Sequence, residues 1–173
     1  MDTTFLTLLI LLAAVSVFFY NQLVKSRNRC LAAWADVDVQ LIRRHRLLPN
    51  LVRTVKGYAD FEQQSLSLVT LARSYQAEVD VESANKIEKE LSHGLVSIKA
   101  LFEDHPELRA SESYQKLKQE LVSTEDAIQH SRRYFNGTVK AHNTLVEQFP
   151  GLIFARLFRF STRQFFNHAV EKT

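Results

Sequence analysis

The chain has 173 residues, enough for one domain of ordinary size with little room for a second. Four glycines and three prolines are too few for a turn-rich all-β fold. The single cysteine, Cys30, excludes an intramolecular disulfide framework and any multi-cysteine metal site. A 46% apolar and 24% charged composition supports a packed core rather than disorder. A net charge of +3 is too small to argue nucleic-acid binding.

Residues 5–20 read FLTLLILLAAVSVFFY, without a charge. Extended to Thr3 and Leu23 the stretch measures about 31 Å as a helix, which matches a hydrocarbon core of about 30 Å. A cleaved signal peptide begins with positive charge and ends in a small-residue cleavage site. Here the only early side-chain charge is Asp2, and no A-x-A site stands at the end of the apolar run. Lys25, Arg27 and Arg29 lie on the far side. The positive-inside rule then puts the N-terminus outside and residues 21–173 in the cytoplasm. A single-pass anchor over residues 1–23 is expected, with Phe18, Phe19 and Tyr20 in the interfacial aromatic belt.

Past the anchor, Leu23, Cys30, Leu31, Trp34, Val37, Leu41 and Leu48 recur at threes, fours and sevens, so the membrane helix is expected to run on into the cytoplasmic part. Leu47-Leu48-Pro49-Asn50 is expected to interrupt it, because proline disfavours α geometry at the residue before it and suits the first turn of a new helix. A kink at Pro49 is the alternative. A second helix over residues 50–79 carries Leu51, Val52, Val55, Tyr58, Phe61, Leu66, Val69 and Ala72, weakened by Gly57. A third puts Ala84, Ile87, Leu91, Leu95, Ile98 and Phe102 on one face and stops at Asp104-His105-Pro106. Ser111 opens the longest helix. Its seam (Tyr114, Leu117, Leu121, Thr124, Ile128, Ser131, Phe135, Thr138, His142, Leu145, Phe149) alternates steps of 3 and 4, a heptad pattern. Phe149-Pro150-Gly151 closes it.

The expected fold is therefore all-α: a transmembrane helix continuing into an antiparallel four-helix bundle over residues 24–150, with the end of the last helix returning near the bilayer. Residues 151–173 form a basic, aromatic amphipathic segment. Its Phe154, Arg156, Phe158, Arg159, Phe160, Arg163, Phe165 and Phe166 suit the surface of an anionic leaflet; packing on the bundle and an oligomer contact are the alternatives. Residues 1–79 carry nine Lys/Arg against six Asp/Glu, residues 80–131 six against eleven, and residues 132–173 seven against two. Both ends expected at the membrane are basic.

Motifs for chemistry are missing. The sequence holds no G-x-x-x-x-G-K, G-x-S-x-G, H-E-x-x-H or C-x-x-C. No two of its six histidines stand four apart, and only His142 lies on the heptad seam, where a satisfied interior histidine is expected. Asp36 and Asp38 point about 200° apart on a helix, so they are not a catalytic pair. Arg43, Arg44, His45 and Arg46 form a basic knot without interleaved aromatics, which reads as a solvated face or as interhelical salt bridges. No catalysis, metal, cofactor, small-molecule substrate or nucleic acid is expected.

The order Tyr20-Asn21-Gln22-Leu23-Val24, Arg27-Asn28, Ala33-Trp34, Asp38-Val39-Gln40-Leu41, Arg43-Arg44, Leu47-Leu48-Pro49-Asn50-Leu51-Val52 and Val55-Lys56-Gly57-Tyr58 resembles the signature of the LemA family. Arg133-Tyr134-Phe135-Asn136, Val139, Asn143 and Phe149-Pro150 are similar to its second block. The sequence departs where Phe135 and His142 stand in place of the family's usual tyrosines before Asn136 and Asn143. The resemblance implies a small bacterial inner-membrane protein with an N-terminal anchor, a helical-bundle cytoplasmic part and no established enzymatic activity. It also implies scaffolding, membrane organisation or partner recruitment. Trp34 is expected in the core, and Asn21, Asn136 and Asn143 between helices. Two functions follow: a non-catalytic anchored scaffold that self-associates or recruits other membrane proteins, or an accessory subunit of a membrane protease or transporter.

Overall fold

The computed structural model describes residues 3–55, 69–73, 75, 79–105 and 110–167. Among the described residues the helices run in the order α1 Thr3–Val55, α2 Val81–Asp104, α3 Glu112–Glu147 and α4 Gly151–Leu157. No strand occurs among the described residues. The chain is all-α, and α1 is long and apolar enough to cross a membrane. None of the apolar window of α1 is buried by the rest of the chain.

Local chemistry sets the helix starts. Asp80 caps α2: its Oδ1 accepts from the backbone N–H of Glu82 at 3.0 Å and of Ser83 at 2.9 Å. These bonds hold the Asp80 carboxyl below its ordinary range. Ser111 does the same for α3, its Oγ accepting from Tyr114 N–H at 3.2 Å. Gly151 opens α4 because a Cβ there would collide with the Leu145 carbonyl oxygen. After α4, Arg159 adopts a left-handed φ of 58°, and Phe160 N–H reaches back to the Ala155 carbonyl at 2.8 Å. That is the geometry of a helix C-terminus reversing the chain.

Pro49 does not interrupt the first helix; α1 runs through it to Val55. An internal proline costs about 3 kcal/mol, but the turns around it bury Leu48, Leu51 and Val52 in one core. Three apolar side chains at about 1.5–3 kcal/mol each outweigh that cost. Most of the expected second helix, including Gly57 and Tyr58, lies outside the described residues, as does the Phe102 side chain. Residues 69–73 are helical.

The chain divides into two compact units, residues 1–34 with 133–165, and residues 35–132 with 166–173. In the first, Leu23, Val146, Phe154 and Ala155 are buried, with Phe19, Leu145 and Phe160 against them. The Phe19 and Phe154 rings stack at 4.9 Å, and Trp34 meets Phe135 at 5.2 Å. The end of α3 thus lies beside the part of α1 that follows the apolar stretch. In the second unit, Leu48, Leu51, Val52, Ala72, Leu91, Ile98 and Tyr114 form the core. The α3 seam is buried or half-buried from Tyr114 to Leu145. It closes on Val146 rather than Phe149, which is 78% exposed beyond the helix end.

Candidate functional site

The least expected feature is polar and sits in the core of the second unit. Val37, Leu41, Leu48 and Leu51 are buried on one stripe of α1, and Arg44 occupies the same stripe with 2% exposure. On α2, Glu88 falls among buried Ala84, Leu91 and Ile98 and is fully enclosed. The Arg44 Nη2 pairs with Glu88 Oε2, and its Nη1 donates to Glu125 Oε2 of α3 at 2.8 Å. One guanidinium therefore holds three helices together.

His45 adds a second layer. Its Nε2 lies 2.7 Å from Glu88 Oε1. Burial, followed by the adjacent Arg44 charge, pushes the imidazole down to about 3, so it is neutral near pH 7 and donates its Nε2 proton to the carboxylate. The His45 ring stacks on Tyr75 at 4.3 Å, and Tyr75 donates its hydroxyl to Asp38 at 2.9 Å. Burial and that hydrogen bond push the Tyr75 phenol well above its ordinary value. Burial also pulls Arg44 down, opposed by Glu125. Gln40 Oε1, Arg44 Nε, His45 Nδ1 and Glu125 Oε1 are buried without a hydrogen-bond partner among the described residues. A cavity of about 360 Å³ adjoins the network, bounded by Arg44, Leu51, Ile98, Tyr114, Leu121 and Glu125 among others.

A second cluster belongs to the first unit. His142 Nδ1 lies 2.8 Å from Ser26 Oγ, and its Nε2 lies 3.1 Å from the Ser161 carbonyl. A carbonyl only accepts, so Nε2 carries the proton, and Nδ1 faces the Ser26 hydroxyl, whose one hydrogen serves either that nitrogen or the Leu23 carbonyl at 2.9 Å. Burial is the first cause that lowers the His142 pKa, with Arg163 and Arg27 acting in the same direction. Asn143 donates Nδ2 to the Arg163 carbonyl at 3.0 Å and accepts from Arg163 N–H at 2.8 Å. The C-terminal segment is thereby tied along α3. Tyr20 meets Phe158 and Phe160 edge-on, and Arg27 lies over the Phe160 ring at 5.5 Å.

The basic knot splits. Arg44 is an interhelical ion pair, His45 is buried, and Arg43 and Arg46 are exposed. Asp38, Gln40, Trp34, Pro49, Asn136, Asn143 and Pro150 are half-buried, while Asn21, Arg27, Asn28 and Asn50 are exposed. Asn143 ties α3 to the C-terminal segment rather than to another helix. Two of the aromatics expected at a membrane surface are inside instead: Phe154 is 8% exposed against Phe19, and Phe166 is fully buried. Arg156, Phe158, Arg159 and Phe165 are exposed, and Phe160 and Arg163 are half-buried. Tyr75, Glu88 and Glu125 are not among the sequence candidates, whereas His45 belongs to the basic run for which interhelical salt bridges are one of the two expectations. Glu88 carried a signal, since positions 84, 88, 91, 95 and 98 alternate steps of 4 and 3. Among the described residues no group of three His, Cys, Asp or Glu could hold a metal ion.

These features define an all-α protein whose first helix is fit to cross a membrane and whose second unit is pinned by a buried ion network. The family model described as the LemA family matches residues 33–173. Protein LemA of Metamycoplasma hominis is 26% identical over 155 residues, covering 84% of this chain and 70% of that protein. The chain belongs to the LemA family.

Proposed function

We propose that this protein is a non-catalytic scaffold anchored in a bacterial inner membrane, which self-associates or recruits a partner at the cytoplasmic face. The observation that carries this reading is α1. Its apolar window is wholly uncovered, which leaves it free to cross a bilayer, and the same helix runs on to Val55 without a break. Lys25, Arg27 and Arg29 directly follow the apolar stretch and favour a cytoplasmic C-terminal side. In the second unit Ala35 and Val39 are exposed one turn apart on α1, apolar positions that a second copy or another membrane protein could cover.

The test is the mass of the full-length protein in mild detergent, compared with a form lacking residues 1–23 and 152–173. A uniform assembly that collapses on truncation supports a scaffold built through its membrane segments. A reproducible foreign subunit in place of homo-oligomers moves the reading to an accessory subunit of a membrane protease or transporter. A lone monomer in both forms overturns self-association.

A further inference from the structure

A groove of about 350 Å³ runs between α1 and α3 in the first unit. Its charged lining is Lys25 and Arg29, with Gln22, Thr144 and Gln148 offering further donors, and no carboxylate lines it. Glu147, next to Gln148 in the chain, is not part of the wall. Neither Lys25 nor Arg29 has a salt-bridge partner among the described residues. Ser26 also lines the groove, but its hydroxyl is engaged by His142 and the Leu23 carbonyl. Ala141 and Leu145 complete the wall as apolar surface.

We infer that this groove binds the phosphate of an anionic phospholipid headgroup from the leaflet that α1 crosses. The inference rests on the anchoring of α1, and geometry gives the depth. The uncovered apolar stretch ends where Phe19 stacks on Phe154, which marks the hydrocarbon boundary. Gln22 and Lys25 lie about 5 and 9 Å further along the helix, within a headgroup layer about 5–8 Å thick and at its lower edge. Arg29 lies about 15 Å along. Helical side chains tilt toward the helix N-terminus, so Arg29 and Lys25 both reach up toward the bilayer. Basic pockets between helices on the cytoplasmic side suit anionic headgroups. The volume lies at the lower end of ligand sites, a fit for a headgroup whose acyl chains stay in the bilayer. Ala141 and Leu145 give the groove an apolar wall opposite its two cations, against which the glycerol backbone would rest.

The test uses full-length protein in nanodiscs of equimolar phosphatidylglycerol and phosphatidylcholine, with bound lipid read by native mass spectrometry. Retained phosphatidylglycerol is expected over phosphatidylcholine, with the preference falling about 30-fold in the Lys25→Gln, Arg29→Gln double variant. Lys25→Arg with Arg29→Lys should keep the preference, and Arg133→Gln, an exposed cation elsewhere in the same unit, should leave it unchanged. Equal retention by the double variant overturns the site. Inorganic phosphate is titrated into phosphatidylcholine-only discs. Stabilisation equal to that given by phosphatidylglycerol would make a soluble anion the ligand and overturn the lipid source. Alkaline extraction of native membranes reports the anchor separately. Protein released by alkali defeats the anchoring reading, whereas protein retained without lipid preference defeats the groove alone.

Discussion

Replacing Glu88 by Gln tests the buried network most directly. Glu88 is fully enclosed, with one oxygen on Arg44 and the other on His45. Glutamine keeps the shape and an acceptor for the His45 proton, but it removes the negative charge opposite a guanidinium with 2% exposure. Breaking a buried pair by removing one partner costs about 3–5 kcal/mol. Glu125 still accepts from Arg44 at 2.8 Å, so the lower end applies, about 3 kcal/mol. In a chain of this size that is a fall of about 6–12 °C in melting temperature, read by far-UV circular dichroism on full-length protein in detergent. Glu125→Gln, at a carboxylate with 29% exposure, should cost under about 1 kcal/mol. In an Arg44→Met background the Glu88→Gln change should become neutral or stabilising, because the carboxylate has then lost its cation. The same cost in both backgrounds would refute a charge-based network and leave only shape.

Acid should weaken the fold. His45 is held at about 3 against an ordinary 6.5, so between those values the unfolded chain binds a proton that the folded chain does not. Stability therefore falls as pH drops below about 6.5, by up to about 1.4 kcal/mol per unit. His142, also lowered, acts in the same direction, and His45→Gln should flatten the melting temperature against pH. Asn143→Ala removes both hydrogen bonds to Arg163. Faster amide exchange at residues 158–165 and quicker tryptic cleavage at Arg163 are expected, with residues 81–104 unchanged. Pro49→Ala restores a backbone donor inside α1 and removes the ring clash, so the melting temperature should rise. A fall would mean that Pro49 sets a bend the core depends on.

The helices were legible because their apolar stripes are long and their caps are explicit. Asp80 and Ser111 stand at the starts of α2 and α3, and Asp104-His105-Pro106 marks the stop of α2. Pro49 misled because a local preference was read without the tertiary packing of Leu48, Leu51 and Val52 that overrides it. On α2, Ile87 was assigned to the inner face, yet the buried position is Glu88. An apolar-only reading steps around a glutamate even when the 4–3 spacing passes through it. Arg44 sits in a basic run that reads as a solvated face or as interhelical salt bridges, and what decides for the second is its place on a seam, since steps of 4, 3, 4 and 3 join Val37, Leu41, Arg44, Leu48 and Leu51. A buried arginine on one seam and a buried glutamate on another are complementary only once the helices are paired, and pairing is a property of the fold.

That pairing suggests why charge is retained where leucine would pack at least as well. A heptad seam tolerates a slip of one repeat, since apolar side chains meet apolar side chains again seven residues on. In the second unit a slip of α3 would part Arg44 from Glu125, and a slip of α2 would part it from Glu88, leaving an unpaired charge in an apolar core. The network is then worth little as net stability and much as discrimination against wrong registers. In the first unit a different device acts on the same helices. His142 on Ser161 and Asn143 on Arg163 use neutral, directional hydrogen bonds where the C-terminal segment lies along α3, and His142 on Ser26 joins α3 to α1 in the same way.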